Sequence, residues 1–316
     1  MLKEENIKVP KIAISLGDLN GIGIEIALKA HEQICKIANP IYCINEKMLY
    51  QAAKLLELDV PKNFTLHQTR GHFKINPKKC SKQSGLYSYH SFNDAITLAK
   101  KNEVQALATL PINKEAWAKA GIKFKGHTEV LRNYFKKDAL MVLGCDKMFV
   151  GLFTEHIPLK EVPNKIKTKK LLSFFLDFAK CLNADKIAVL ALNPHAGDNG
   201  VLGDEEEKIN KAIKKANESL KKEVFYGAFV PDIAFSPKNR QEFKYFIAMY
   251  HDQGLIALKS LYFDESINMT LNLPIIRTSV DHGTAFDIAY NTKIEKSKLS
   301  YVNAVKEALK LIKLKV

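Results

Sequence analysis

Short β-rich apolar runs alternate with amphipathic segments along this chain, and the alternation predicts its elements. The predicted strands are residues 11–16, 41–44, 106–110, 148–153, 186–192, 225–229 and 246–250. The predicted helices are residues 23–36, 47–56, 91–101 with Ser91 as N-cap, 167–181, 205–222 and 301–312. Strands that alternate with helices indicate an α/β protein with a largely parallel sheet. In open sheets of this kind, ligands bind beyond the carboxyl ends of the strands.

Composition and charge limit the class of protein. The chain has 316 residues, of which 47% are hydrophobic, and a formal net charge of +14. This length allows one large domain or two moderate ones with a sizeable core. Only four of the 48 basic residues are arginine, whereas proteins that read bases or clamp many phosphates favour the bidentate guanidinium. The lysine excess therefore indicates a general compositional bias, and a nucleic-acid-binding protein is the less favoured class.

The sequence gives no clear indication of a targeting segment, a transmembrane helix or a disulfide framework. No apolar run approaches the roughly 18 residues of a transmembrane helix. The first 18 residues lack an apolar core followed by a small-residue cleavage site. The five cysteines are odd in number and include no C-x-x-C pair, which disfavours a disulfide framework or a thiolate zinc site. We therefore expect a cytoplasmic protein without a nucleic-acid or membrane partner.

Three histidines, His156, His195 and His251, each follow a β-rich apolar run. If these runs are neighbouring strands, the imidazoles can converge at one end of the sheet and leave a fourth position open, as in a catalytic metal site. Imidazole ligands favour Zn²⁺ or Co²⁺, and nearby aspartates leave Mg²⁺ and Mn²⁺ possible. A lone histidine at such a position is usually structural, so the hypothesis depends on all three. The apolar run after His251 predicts a further strand that ends at Lys259.

Two segments carry side chains suited to an anion. His127 and Thr128 stand at the predicted start of a helix in GHTEVL, where donors suit a phosphate or carboxylate, although Thr128 could equally cap the helix. Farther along, the polar side chains of Asn268 and Thr270 precede Arg277, one of the few arginines, which follows an apolar run. Arg277 is therefore a candidate ligand for an anion.

Two glycine-containing turns are candidates for contact with a cofactor. The loop DHGTAFDIA could present backbone donors and the imidazole of His282 to an adenine and ribose. The turn GDLNGIGIE begins a G-x-G-x-x-G pattern at Gly21 and Gly23, but Ile26 occupies the third glycine position. A Rossmann dinucleotide site is therefore the weaker interpretation. A tight turn that leads into a helix N-terminus is the stronger one.

Four motifs, GHTE, LNPHAG, YHDQGL and IRTSVDHGTA in this order, resemble the 4-hydroxythreonine-4-phosphate dehydrogenase (PdxA) family of vitamin B6 biosynthesis, and the similarity extends over residues 12–289. The resemblance implies an isocitrate/isopropylmalate dehydrogenase-like fold of two α/β domains with a cleft between them. It implies a discontinuous cofactor-side domain of residues 1–120 and 275–316, and a metal-binding and dimerisation domain of residues 121–274. It also implies a homodimer whose active site lies at the subunit interface.

The resemblance assigns roles to individual residues. It implies metal ligation by His156, His195 and His251, and substrate binding by His127, Thr128, Lys259, Asn268 and Arg277. It implies cofactor binding by His282, Gly283, Thr284 and Asp287, and Asp252 is a candidate to orient His251 or to accept a proton. The chain departs from the usual family pattern at Leu19, Asn20, Ile24, Leu110 and Tyr290. Tyr290 stands where the family usually has glycine, and these departures concern the first turn and the cofactor preference.

The implied activity is oxidation of 4-phosphohydroxy-L-threonine with NAD or NADP and a divalent metal. Its product, 2-amino-3-oxo-4-phosphooxybutanoate, decarboxylates to 3-amino-2-oxopropyl phosphate on the route to pyridoxine 5'-phosphate. As a Lewis acid, the metal would lower the pKa of the substrate hydroxyl. Two alternatives remain: a paralogous dehydrogenase of phosphorylated threonate or erythronate, and a metal-dependent hydrolase that uses the same histidines to activate water.

Overall fold

The computed structural model describes residues 9–315, with strands and helices alternating along most of the chain. The strands are β1 Lys11–Ser15, β2 Asn39–Cys43, β3 Leu66–His67, β4 Ala106–Thr109, β5 Leu140–Cys145, β6 Met148–Leu152, β7 Ile187–Leu190, β8 Phe225–Phe229, β9 Tyr245–Ala248, β10 Ile267–Leu271 and β11 Arg277–Val280. The α-helices are α1 Gly23–Cys35, α2 Glu46–Leu56, α3 Lys82–Lys100, α4 Lys114–Lys119, α5 His127–Phe135, α6 Val162–Lys165, α7 Thr168–Leu182, α8 Glu205–Leu220, α9 Pro231–Ala234, α10 Pro237–Glu242, α11 His251–Tyr262 and α12 Leu299–Lys315.

The described residues form two compact units. The first unit consists of residues 9–136 and 274–315, and the second is Lys137–Leu273. The chain therefore passes from the first unit to the second after Lys136, whereas the family resemblance implies a boundary after residue 120. The functional labels given to the two domains stay predictions.

The first unit is built on an all-parallel sheet in the order β3-β2-β1-β4-β11. The apolar residues of β1 and β4 are buried, as expected for a parallel sheet covered on both faces. Helix α3 packs against β1, and α12 packs against β4 and β11. Because these strands pair in parallel, the carboxyl ends of β1, β4 and β11 lie at one edge of the sheet.

The second unit has a mixed sheet in the order β10-β5-β6-β9-β7-β8. Strand β5 pairs antiparallel with both β10 and β6, whereas β6, β9, β7 and β8 run parallel. Val150, Leu190 and Phe246, one from each of β6, β7 and β9, lie in a shared apolar core. The carboxyl ends of these three neighbouring strands therefore lie at the same edge of the sheet.

The helix predicted to begin at Ser91 starts nine residues earlier, at Lys82, and the prediction of its N-cap is wrong. Ser81 is the N-cap, because its hydroxyl accepts a hydrogen bond from the Ser84 amide at 3.1 Å. Ser91 lies buried within the helix and donates to the Cys43 carbonyl at 2.7 Å. The first half of this helix contains several small and polar residues, some of which are buried. Its sequence therefore lacks the regular apolar spacing by which an amphipathic helix is predicted.

The strand predicted to end at Lys259 is also wrong, because His251–Tyr262 forms helix α11. A short apolar run does not distinguish a strand from a buried helical segment. Gly254 allows this helix to approach the sheet, since a Cβ there would lie 2.5 Å from Val150 Cγ1. Among residues 9–315, no helix has the length and apolar character needed to span a bilayer.

Candidate active site

A buried cluster of Arg277, Thr109 and His127 lies where β4 and β11 pair in the first unit. Arg277 begins β11, Thr109 ends the neighbouring β4, and His127 begins α5. Nε and Nη2 of Arg277 donate to Thr109 Oγ1 at 3.2 and 2.7 Å. Nη2 also lies 3.1 Å from His127 Nδ1. The guanidinium is thus oriented by two side chains from different elements.

The contact with Arg277 determines the protonation of His127. A guanidinium can only donate, so His127 Nδ1 must accept, and the neutral ring carries its proton on Nε2. Burial and then the charge of Arg277 lower the pKa of His127 well below its usual value. Burial lowers the pKa of Arg277 to about 9, so this side chain is still cationic at neutral pH.

The Nε2 atom of His127 is buried and has no hydrogen-bond partner among the described residues. Leaving a buried donor unsatisfied costs about 1–3 kcal/mol, so this N–H is suited to an oxygen of a bound ligand. The rings of Phe92 and Trp117 pack edge-on against the imidazole, with centroids 4.5 and 5.8 Å away. Thr128 follows within the first turn of α5 and is also buried. It is not the N-cap, which is Gly126.

The other two predicted substrate residues lie in the second unit. Asn268 belongs to β10, where it is opposite Leu143 of β5. Its Oδ1 atom is buried and lacks a hydrogen-bond partner in the described part of the chain. Lys259 lies on α11, and its Nζ is 5.3 Å from the centre of the Phe263 ring. Asn268 thus offers an unsatisfied acceptor, and Lys259 a cationic donor.

The three histidines predicted as metal ligands follow β6, β7 and β9, which are neighbours in the sheet. The rings of His156 and His251 have centroids 5.4 Å apart. His251 Nδ1 donates to Asp252 Oδ1 at 2.6 Å, which leaves Nε2 as the nitrogen available to a ligand. Within residues 9–315, no three His, Cys, Asp or Glu side chains are grouped closely enough to hold a metal ion. The structure therefore brings two of the three rings together.

His195 lies on a loop with unusual backbone geometry. It and the next four residues all have positive φ, with values from 43° to 80°. Only Gly197 among them is a glycine, and each other residue in such a conformation costs on the order of 1–3 kcal/mol. Strain of this kind is concentrated at functional sites and persists only where surrounding contacts fix the backbone. The contacts that fix this loop are therefore of functional interest.

The two turns predicted to contact a cofactor lie against each other in the first unit. The Ile22 amide donates to the Thr284 carbonyl at 3.1 Å. A Cβ on Gly21 would lie 2.8 Å from that same oxygen, so glycine is needed for the close approach. The first turn leads into α1 at Gly23, as the stronger interpretation predicted. The space around Gly283 is open, since a Cβ at this position would meet no atom within 4 Å.

Two residues of this region were not singled out from the sequence. Thr109, which orients Arg277, was recognisable only as a polar residue near the end of an apolar run. Asp18 is fully buried and accepts hydrogen bonds from the Asn20 amide at 3.0 Å and Ser84 Oγ at 2.9 Å. Burial raises its pKa to about 6. A carboxyl three residues after the end of a buried strand was the available signal.

Comparison with known structures first defines the class of fold. Isocitrate dehydrogenase from Methylococcus capsulatus has a TM-score of 0.50 at 14% identity, covering 96% of this chain and 86% of that chain. The chain therefore has an isocitrate dehydrogenase-like α/β fold, as its sequence predicted.

The family follows from closer matches. Residues 36–308 match the model of the family described as "Pyridoxal phosphate biosynthetic protein PdxA", and the chain belongs to this family. The 4-hydroxythreonine-4-phosphate dehydrogenase of Sulfurimonas denitrificans is 60% identical over 301 residues, which are 95% of this chain and 97% of that protein. A crystal structure of 4-hydroxythreonine-4-phosphate dehydrogenase from Klebsiella pneumoniae has a TM-score of 0.82 at 30% identity, covering 97% of this chain and 99% of that chain. The resemblance stated from the motifs is confirmed.

Proposed function

We propose that this protein is a 4-hydroxythreonine-4-phosphate dehydrogenase. It would oxidise 4-phosphohydroxy-L-threonine with NAD or NADP to 2-amino-3-oxo-4-phosphooxybutanoate, which decarboxylates to 3-amino-2-oxopropyl phosphate. The family and the 60% identical relative support this proposal. The structural observation that carries it is the buried Arg277–His127 pair with its unsatisfied Nε2 donor. Such a pair is a preorganised site for a phosphate or carboxylate.

Substrate binding would depend on charge and on donors that burial has already desolvated. Arg277 contributes a fixed positive charge, and neutral His127 contributes one N–H to the same anion. Thr128, beside His127, would donate its hydroxyl. Lys259 and Asn268 complete the proposed substrate residues, and the unsatisfied Oδ1 of Asn268 can accept from the substrate's ammonium or hydroxyl group. The positive charges of Arg277 and Lys259 would favour a phosphorylated hydroxy-amino acid over an uncharged alcohol.

The donor set beyond β6, β7 and β9 fits a divalent cation in its chemistry. His156, His195 and His251 would hold Zn²⁺ or Co²⁺, and Mg²⁺ is a further candidate. A cation bound there would supply Lewis acidity, which lowers the pKa of a hydroxyl group. Asp252 would act as a positioning residue, because its hydrogen bond holds the His251 ring with Nε2 available.

The cofactor would lie against His282, Gly283, Thr284 and Asp287. The open space around Gly283 and the close packing of the loop on the first turn support this assignment. NAD or NADP held by these residues would supply a hydride acceptor. Lys78 Nζ donates to the Asp287 carbonyl at 3.1 Å and so steadies the far end of this loop.

The protein would act in the cytoplasm as a homodimer with its active site at the subunit interface. Support comes from α11 and its C-terminal end, where Ile256 and Phe263 are 68% and 67% exposed. Large apolar side chains exposed together are characteristic of association surfaces. A dimer formed by one such surface on each copy would be two-fold symmetric.

The decisive experiment is absorbance-monitored reduction of NAD and NADP with 4-phosphohydroxy-L-threonine, before and after treatment with a chelator. We expect turnover that the chelator abolishes and that Zn²⁺ or Co²⁺ restores. Faster turnover of phosphorylated threonate or erythronate would instead identify a paralogous dehydrogenase. Release of phosphate or of another hydrolysis product in the absence of NAD and NADP would identify a metal-dependent hydrolase. Full activity of H195A in metal-free buffer would contradict the proposed mechanism.

A further inference from the structure

Two carboxylates of the first turn of α8 hold the loop that carries His195. Glu205 Oε2 accepts from the side-chain amide of Asn193 at 2.8 Å, and the buried carboxylate of Glu206 makes the remaining contacts. Oε1 of Glu206 accepts hydrogen bonds from the amides of Leu192 and Asn193 at 2.9 and 2.8 Å. Oε2 accepts from the side-chain amide of Asn193 at 2.9 Å. Glu206 belongs to the first turn of α8 and is only 6% exposed. Three of its hydrogen bonds therefore end on the two residues that lead into Pro194 and His195.

Glycines close the loop around the same carboxylate. A Cβ on Gly197 would lie 2.6 Å from Glu206 Oε2 and 2.7 Å from the Gly203 carbonyl. A Cβ on Gly203 would lie 2.3 Å from Asn193 Nδ2. Gly197 therefore allows the chain to pass close to the carboxylate, and Gly203 allows it to pass close to the Asn193 side chain that the carboxylate holds. This arrangement fixes the left-handed backbone of residues 195–199.

We infer that Glu206 is the positioning residue for His195. Its carboxylate accepts hydrogen bonds from the backbone and side chain of Asn193. It would thereby fix the position and orientation of His195, two residues farther along the loop. The inference rests on the proposed function, in which His195 is a metal ligand. Residues that orient metal ligands through hydrogen bonds change metal affinity by about 10–100-fold when substituted.

A matched pair of substitutions tests the carboxylate. Glu206→Gln keeps the size of the side chain but replaces an acceptor oxygen with a donor, which opposes the Asn193 amide. Glu207→Gln removes an equal charge from the same helix turn, at a position that is not buried. Co²⁺ affinity is measured by titration of its visible absorption spectrum. We expect E206Q to weaken Co²⁺ binding at least about tenfold and alter the spectrum, and E207Q to stay within about twofold of wild type.

A second pair remains informative if E206Q does not fold. Gly197→Ala introduces a Cβ against Glu206, whereas Gly200→Ala introduces one at a positive-φ position of the same loop with no atom within 4 Å. Both carry a similar backbone cost, so their difference reports displacement of the carboxylate. We expect G197A, and not G200A, to reproduce the loss of Co²⁺ affinity.

The outcomes separate this inference from the function on which it rests. If H195A binds Co²⁺ as tightly as wild type, the proposed metal-binding role of His195 is wrong. If H195A loses affinity while E206Q and G197A bind as their controls do, only the positioning role is wrong. A merely structural role for Glu206 would lower the urea midpoint of the metal-free protein and leave its Co²⁺ affinity and spectrum unchanged, which would also overturn the inference.

Discussion

The hydroxyl of Tyr290 donates a 2.6 Å hydrogen bond to the carbonyl oxygen of Leu19, and both residues stand where this chain departs from the usual family pattern. Tyr290 has a φ of 57°, in the left-handed region that favours glycine. A third departure, Asn20, donates to the Lys79 carbonyl at 2.7 Å and accepts from the Asn76 amide at 3.0 Å. Tyr290 therefore supports the backbone at Leu19, and Asn20 joins the same turn to residues 76–79, so both hold the first turn against segments far away in sequence.

We predict that Tyr290→Phe lowers the free energy of unfolding by about 1–2 kcal/mol, because it leaves the buried Leu19 carbonyl without this donor. The burial that raises the pKa of Tyr290 keeps the hydroxyl protonated as a donor. Urea unfolding measures the loss, and titration with NADPH measures whether the adjoining loop binds cofactor more weakly. Tyr50→Phe, at an exposed tyrosine, is the control. Equal stability of Y290F and Y50F would show that the bond contributes nothing.

We predict that Thr109→Val raises the KM for the phosphorylated substrate about tenfold or more. The substitution removes the oxygen that accepts from two nitrogens of Arg277, and hydrogen bonds to charged groups contribute about 1.5–3 kcal/mol. Steady-state kinetics provides the measurement, and cofactor affinity should not change. Thr278→Val is the matched control, since the Thr278 hydroxyl is buried in the adjoining strand without a hydrogen-bond partner among the described residues. An unchanged KM in T109V would exclude Thr109 as the residue that orients Arg277.

We predict that His127 makes the protein less stable as the pH falls below about 6.5. Its pKa in the folded state is lowered, so the unfolded chain binds a proton that the folded chain does not. Stability from this group is complete above the ordinary value of 6.5 and decreases below it, by up to about 1.4 kcal/mol per pH unit. Urea unfolding of wild type and H127Q between pH 7.5 and 5.5 measures this component, with the exposed-site variant H72Q as control. Parallel pH profiles for wild type and H127Q would contradict it.

Asp18 has the opposite pH dependence. Its folded pKa of about 6 exceeds the ordinary 3.8, so its contribution to stability is complete below 3.8 and is lost as the pH rises through 6. At pH 7.5 the buried carboxylate therefore costs about 2–3 kcal/mol. Asp18→Asn should recover part of this cost and remove the pH dependence between 4 and 6, because the amide can still bond Asn20 and Ser84. Asp59→Asn, at an exposed aspartate, is the control, and a D18N protein less stable than wild type at pH 7.5 would contradict the prediction.

Periodicity and motifs predicted the α/β class, most strands and helices, and the family. They failed in the first half of α3, where several of the buried residues are small or polar. They also failed in α11, where the apolar run was too short to distinguish a helix from a strand. The candidate residues could be identified one by one because histidine, arginine and glycine have uncommon chemistry. The roles of these residues depend on neighbouring side chains that are far away in sequence.

The order of residues by itself determined which side chains follow a strand, because local patterning marks where each apolar run ends. It did not determine that β6, β9 and β7 are adjacent, that Thr109 orients Arg277, or that His127 carries its proton on Nε2. These facts required the tertiary structure, since strand pairing and the hydrogen bonds across it join residues up to 168 positions apart in this cluster. Burial then sets their charge states, because removing a group from water shifts its protonation in a way that composition cannot reveal.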